Sequence, residues 1–391
     1  MRGNFEYYNP TKLFFGENSI NNLKDELKKY GDNILLVYGN GSIKKTGLYD
    51  KVMAILKELN KNVTEDSGVM SNPTIEKLYD GVRIARENKI DFILAVGGGS
   101  VIDYSKGLAA SINLKGEDPW KKYYLDMEEA DCECVPIGTI LTMVGTGSEM
   151  NGGSVITNKE QKLKIGKVFG SYNFPKFTIL DPTLTFTVPR YQMVAGIFDI
   201  MSHLMEQYFS DIDDSASDYI IEGMMRALIA SSRVAIKNPN DYDARSNIMW
   251  IATWALNTFV SKGKTEDWEV HMIGQAIGAI TNATHGMTLS AVSIPYYEYI
   301  MPFGLLKFKR FAEVVWGVES YRFNNDATLI AKEGLRCMSD WMKEIGLVMR
   351  ISDLGVKPSD LDDIINGTFL LNGGYKQLDK EELLDILKRA M

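Results

Sequence analysis

Histidine is the residue this sequence has least of. Only three occur in 391 residues, His203, His271 and His285, all inside one stretch of the second half. Cysteine is equally scarce, at Cys132, Cys134 and Cys337. So low and odd a count excludes a disulfide-built fold and fits a reducing compartment. Cys132-x-Cys134 also lacks the two-residue spacer of a redox or zinc motif, so it reads as structural or incidental. No run reaches the ~18 apolar residues of a membrane span. The opening MRGNFEYYNP has no apolar core of a secretory signal, so the expected location is cytoplasmic. Basic residues are in the minority, 43 against 51 acidic, for a net charge of −8. That argues against a nucleic-acid or anionic-membrane partner. Internal repeats and low-complexity tracts are absent.

What is present is ordinary for a globular enzyme: 45% hydrophobic and 24% charged residues. The length predicts two domains. Through the first half, short apolar runs alternate with amphipathic stretches. NILLVYG (33–39) and DFILAV (91–96) have the continuous hydrophobicity of strands buried on both faces. NVTEDS (62–67), CVPIGTIL (134–141), SVITN and FTILDP read as further strands. Helical spacing fills 20–30, 47–59, 74–89 (with Thr74 as N-cap) and the stretch after Ser100. Residues 5–16 read as two short strands around Asn9-Pro10, suited to an edge or terminal hairpin. Residues 112–133 read as a loop or irregular helix. The alternation predicts a doubly wound, mostly parallel α/β sheet over 1–187. Beyond Pro189 the strand-like runs stop, and 188–391 reads as all-helical.

Asp199 and His203 are spaced i,i+4, one face of a helix one turn apart. With His271 and His285 they form a set of one carboxylate and three imidazoles, which suits a divalent metal. On one straight helix His271 and His285 would stand ~21 Å apart, too far for bonds of ~2 Å to one ion. Thr281-Asn282-Ala283-Thr284 between them predicts a break and a chain reversal. The Asp199/His203 spacing equally serves an ordinary ion pair, and these residues alone leave both readings open.

Gly97-Gly98-Gly99-Ser100 lies where a buried strand meets a helix, a place where backbone N–H groups and the helix dipole favour phosphate. Asp103 follows in the first turn and could brace that loop. A second Gly/Ser/Thr loop, TMVGTGSE (142–149), follows the next strand and could line the other side of a nucleotide crevice. Either could instead be a plain structural turn.

The motifs NPTKLFFG, YGNGSIKKTG, SNPT, AVGGGSVIDYSKG, GTGSEMNGGSVITN, ILDPTLTFTVP, FDIMSHLMEQYF and DWEVHMIGQ…THG span nearly the whole chain. As a set they resemble the iron-containing (group III) alcohol dehydrogenases, in the butanol-dehydrogenase-like and broad aldehyde-reductase branch. The resemblance implies a dehydroquinate-synthase-like architecture: a dinucleotide-binding α/β domain, then an all-α domain, with the site in the cleft and N-terminal strands pairing across a homodimer. It implies Asp199, His203, His271 and His285 as ligands of Fe²⁺ or Zn²⁺. It implies a coenzyme site at Gly39, Asn40, Ser42, Asn72, Gly97, Gly98, Gly99, Ser100, Asp103, Thr139, Thr142, Thr146 and Lys164. The activity implied is reversible hydride transfer between NADP(H), or NAD(H), and a small aldehyde or primary alcohol.

Three positions depart from the branch pattern. Gln275 stands where a second histidine usually follows the third ligand by four residues, and glutamine moves no proton near neutral pH. Leu141-Thr142-Met143 replaces Pro-Thr-Thr. Gly39 stands where NAD-preferring relatives often place Asp, and Lys44 or Lys45 nearby could add positive charge. The rival readings are a non-redox dehydroquinate-synthase-like enzyme, a glycerol or diol dehydrogenase of the same superfamily, and a non-catalytic nucleotide-binding protein.

Overall fold

A computed structural model describes residues 4–210 and 215–391. The chain forms two compact units, Tyr8–Val188 and Pro189–Met391, the latter joined by the described part of Met1–Tyr7.

The first unit is built on a six-stranded sheet. Its strands are β1 (Lys12–Phe15), β2 (Asn33–Tyr38), β3 (Asn62–Asp66), β4 (Phe92–Gly97), β5 (Ile137–Leu141) and β8 (Phe177–Leu180). Its order is β1-β8-β5-β4-β2-β3, and every pairing is parallel. All six residues of β4 are buried, as its unbroken apolar run requires; β3, at the edge, has only Asp66 fully buried. Helices α1 (Leu23–Leu27), α2 (Ser42–Lys45), α3 (Leu48–Glu58), α4 (Ile75–Glu87) and α5 (Gly99–Ser111) connect the strands. Thr74 caps α4 by accepting the Lys77 N–H. From the centre, β2 and β3 extend one way and β4, β5 and β8 the other. Chain order therefore reverses between β2 and β4, where ligands of open parallel sheets bind beyond the strands' carboxyl ends. Gly39 follows β2 and the Gly97–Ser100 loop closes β4, so both lie at this reversal, while the second predicted loop, 142–149, follows the next strand, β5.

One expectation fails. The N-terminal hairpin is a single strand, β1, paired in parallel with β8. Asn9 breaks the segment: its Oδ1 accepts the Thr11 N–H at 3.1 Å and its amide donates to the Met150 carbonyl at 2.8 Å. Pro10 contributes no N–H at all. Also unforeseen is β7 (Leu163–Val168), which pairs antiparallel with β6 (Gly153–Asn158) in a separate ribbon. Its lysines disguised it, because Lys164 and Lys167 are buried and carry hydrogen bonds rather than facing solvent.

The second unit holds α6 (Arg190–Tyr208), α7 (Ala216–Ala235), α8 (Tyr242–Ala255), α9 (Glu269–Thr281), α10 (His285–Ile300), α11 (Leu305–Val314), α12 (Ala327–Ile345), α13 (Leu361–Gly367) and α14 (Lys380–Ala390). Among the described residues it has no strand. Every residue of α6 from Met193 to Tyr208 is buried, so this helix is the unit's axis. No described helix is long and apolar enough to cross a membrane.

Candidate metal centre and coenzyme loops

Three helices supply the centre. Asp199 and His203 lie one turn apart on α6. His271 sits in the first turn of α9. That helix ends at Thr281, because Asn282 adopts φ 56°, and Ala283 N–H bonds to the Thr281 hydroxyl at 3.2 Å. The chain reverses and α10 begins with His285. The break predicted from Thr281–Thr284 thus brings the His271 and His285 rings within 5.3 Å of each other.

The three imidazoles converge on one oxygen. Asp199 Oδ1 is 3.5 Å from His203 Nε2, 3.6 Å from His271 Nε2 and 3.7 Å from His285 Nε2. A tetrahedral site with bonds of ~2.1 Å has ligand–ligand edges on the order of 3.4 Å. Ligand atoms of Asp199, His271 and His285 all lie within 4.8 Å of one another. Asp199 Oδ1 and His271 Nε2 are buried without a hydrogen-bond partner. Two such orphaned atoms facing each other are costly unless a cation joins them, so the donor set fits a divalent metal. Asp199, His203 and His271 side chains are 5%, 4% and 8% exposed, but His285 is 25% exposed, so the cluster opens on the His285 side.

The electrostatics agree. Burial pushes the Asp199 carboxyl up, but His203 and the other two imidazoles outweigh burial and hold it well below the usual range. Burial pushes His271 down, yet Glu206 and Asp199 overcome it and lift the ring to about 9. Metal and proton therefore compete for His271.

Glu206 was missed from the sequence. It lies three residues beyond His203 on the same face of α6, fully buried. Its Oε2 is 2.7 Å from His271 Nδ1, and its Oε1 accepts the His271 backbone N–H at 3.0 Å. The signal was available: Asp199, His203 and Glu206 share one helix face at i, i+4 and i+7. A second missed residue is Gly286. A Cβ there would overlap the Ala195 carbonyl on α6, so the missing side chain lets α10 carry His285 in against Asp199. Gln275, one turn after His271, is buried.

In the sheet unit, Gly98 is the N-cap of α5, which no side chain caps. Gly98 and Gly99 admit the loop after β5: a Cβ on Gly98 would stand 3.1 Å from Met143 Cβ, and one on Gly99 would overlap Thr146. Thr142 N–H bonds to the Gly97 carbonyl at 2.9 Å, and Ser100 donates its hydroxyl to the Ser71 carbonyl. Gly97 through Ser100, Thr142 and Thr146 are thus brought together. Lys164, on β7, donates its Nζ to Asn72 Oδ1 at 2.9 Å, so these two predicted residues meet each other. Gly39, exposed Asn40 and exposed Ser42 flank the end of β2. Lys44 lies over the Tyr38 and Tyr49 rings, at 5.1 and 4.4 Å, and 3.6 Å from the Glu65 carboxylate.

Two predicted coenzyme residues look elsewhere. Thr139 has no exposed surface and donates its hydroxyl to Thr178 at 2.8 Å, so it joins β5 to β8 instead of facing a ligand. Asp103 accepts from the Ser148 hydroxyl and, at 3.1 Å, from the Val155 N–H. Its two oxygens tie α5 to Ser148 in the second loop and to Val155 in β6, rather than to the Gly97–Ser100 loop it was expected to brace.

A parallel sheet with an open switch point, and an Asp/His₃ cluster in a helical unit, are the parts of a metal-assisted oxidoreductase. The model of the iron-containing alcohol dehydrogenases matches residues 10–182, and that of the family's C-terminal part matches 193–391. A probable NADH-dependent butanol dehydrogenase of Bacillus subtilis is 40% identical, over 99% of this chain and 100% of its own. The NADPH-dependent aldehyde reductase YqhD of Escherichia coli is 34% identical, over 99% and 98%. The crystal structure of NADH-dependent butanol dehydrogenase A from Thermotoga maritima superposes with a TM-score of 0.93 at 34% identity, over 99% and 98%. The chain belongs to the iron-containing alcohol dehydrogenase family and is an oxidoreductase. Membership implies a nicotinamide coenzyme and iron.

Proposed function

We propose that this enzyme is an NADP(H)-dependent alcohol dehydrogenase working mainly as a reductase of small aldehydes, with Asp199, His203, His271 and His285 as its metal ligands. The observation that carries the metal assignment is the convergence of three Nε2 atoms on Asp199 Oδ1. A bound Fe²⁺ or Zn²⁺ would supply Lewis-acid polarisation of the aldehyde carbonyl. The chain's own residues do the rest. Asp199 contributes the negative charge of the donor set. His285, the partly exposed ligand, marks the side from which an aldehyde enters. Gly98, Gly99 and the N-terminus of α5 receive the coenzyme pyrophosphate, and Asp103 holds the loop that faces it. Gln275 transfers no proton, so the alcohol proton does not come from that side chain.

The coenzyme choice rests on Gly39. Of the three relatives described above, two are named for NADH and one for NADPH. A carboxylate at the end of the second strand would accept from the ribose hydroxyls of NAD and repel a 2′-phosphate of roughly −1.5 to −2 charge. Here Gly39 brings no charge, and Gly41 and Ser42 offer donors. The test is kcat/KM for a small aldehyde with NADPH and NADH, in wild type and Gly39→Asp. A Cβ at Gly39 meets only the Val69 carbonyl, at 3.3 Å, so the fold tolerates the change with slight adjustment. Wild type should prefer NADPH, and the variant should move the ratio about 10- to 100-fold toward NADH, equivalent to about 1.4–2.8 kcal/mol. Equal efficiency in wild type, unmoved by the substitution, overturns the assignment. The reading further includes a cytoplasmic homodimer. Three free thiols support the compartment. The exposed aromatics Phe5 and Tyr8, which precede the edge strand in the sequence, support pairing between subunits.

A further inference from the structure

The N-cap residue of helix α9, Trp268 at φ 65°, gives it no side-chain bond, and of the helix's N–H groups the Asp267 carboxylate just before it takes only that of Glu269. The first turn of a helix nevertheless has N–H groups to satisfy. One is taken from another helix: Glu206 Oε1 on α6 accepts the His271 N–H at 3.0 Å. The other oxygen of the same carboxylate lies 2.7 Å from Nδ1 of the same residue's ring. One buried side chain therefore grips His271 by backbone and ring together.

We propose that Glu206 is the positioning residue of the metal centre, fixing both the seat of α9 on α6 and the tautomer of His271. This rests on the reading of His271 as a metal ligand. A carboxylate only accepts hydrogen bonds, so the ring proton stays on Nδ1. In the neutral ring that a metal would bind, the Nε2 lone pair then faces Asp199 Oδ1, 3.6 Å away. Metal-ligating histidines are commonly oriented in this way, through the nitrogen that does not bind the ion. Glu206 is the group built to do it here, and it adds a helix cap to the task.

Glutamine separates positioning from mere filling of space. It has the same shape but one acceptor and one donor. With its oxygen on the His271 N–H, its NH₂ faces Nδ1, which must then accept, and the ring proton moves to Nε2. Turned the other way, its NH₂ meets a backbone N–H. No orientation keeps both bonds.

The experiment compares wild type with Glu206→Gln, both prepared metal-free and titrated with Zn²⁺. Calorimetry gives the Zn²⁺ Kd, and ¹⁵N-histidine NMR of the Zn²⁺-loaded protein gives the ring protonation. With only three histidines, the ring signals separate readily. We expect a wild-type His271 protonated on Nδ1, and Zn²⁺ binding about 10- to 100-fold weaker in the variant with altered His271 ring shifts. Equal Kd values overturn the inference alone, as does weaker binding with unchanged ring shifts. A wild-type His271 protonated on Nε2 overturns it even if the variant does not fold. A wild type that takes up no Zn²⁺ overturns the metal reading and this inference with it.

Discussion

His285 Nε2 lies 3.7 Å from Asp199 Oδ1, although the two come from different helices and the glycine after His285 is what lets those helices meet. Gly286→Ala puts a methyl into the Ala195 carbonyl, which cannot swing away as a side chain would. The variant should lose about 1–3 kcal/mol of stability and bind metal more weakly, because α10 must retreat with His285. Gly223→Ala is the control: it lies inside α7 with nothing near its added Cβ, and should stabilise by about 0.5–1 kcal/mol. Thermal unfolding and Zn²⁺ titration of both variants check this.

His203→Ala and His271→Ala should each remove most bound metal and nearly all turnover. NADPH binding should survive, since the coenzyme loops belong to the other unit. Metal analysis, aldehyde reduction and NADPH fluorescence titration on the same preparations are the measurements. Full activity in a metal-free variant contradicts the ligand assignment.

Gln275 occupies the position one turn beyond His271. Gln275→Ala should leave the pH profile of kcat unchanged between pH 6 and 9, because no titrating group is lost. Gln275→His should add one ionisation in that range. KM can shift in both variants, since the residue is buried near the ligands.

The metal-free protein should lose stability as the pH rises from about 4 to about 8. Burial, with the Glu206 charge second, pushes the Asp267 carboxyl from 3.8 up to about 8. A folded pKa above the unfolded one means the native state holds the proton more tightly. The contribution is complete below the unfolded value and disappears as the pH passes through the folded value, with a slope of at most about 1.4 kcal/mol per pH unit. Asp267→Asn keeps an acceptor for the Tyr296 hydroxyl, now 2.6 Å from Oδ2, and should flatten the curve. Urea unfolding of both proteins from pH 4 to pH 9 decides it; parallel curves would refute the assignment.

The sequence by itself determined whatever depends on short-range pattern. Continuous apolar runs marked β2 and β4, Thr74 marked the start of α4, and Thr281–Thr284 marked the break that returns His285. The scarcity of histidine made the candidate donor set nearly self-selecting. Only the tertiary structure decided the rest, because those features depend on partners far away in the chain. The ribbon strand β7 hid behind lysines whose acceptors are remote. Thr139 looked like a crevice residue until Thr178, on a neighbouring strand, took its hydroxyl. Glu206 reads as one more polar residue on a helix until α9 brings His271 against it. Gly286 reads as a helix weakness until the Ala195 carbonyl fills the space its missing side chain leaves. Periodicity fixes which face of a helix is buried, but what that face meets is fixed by how the helices pack.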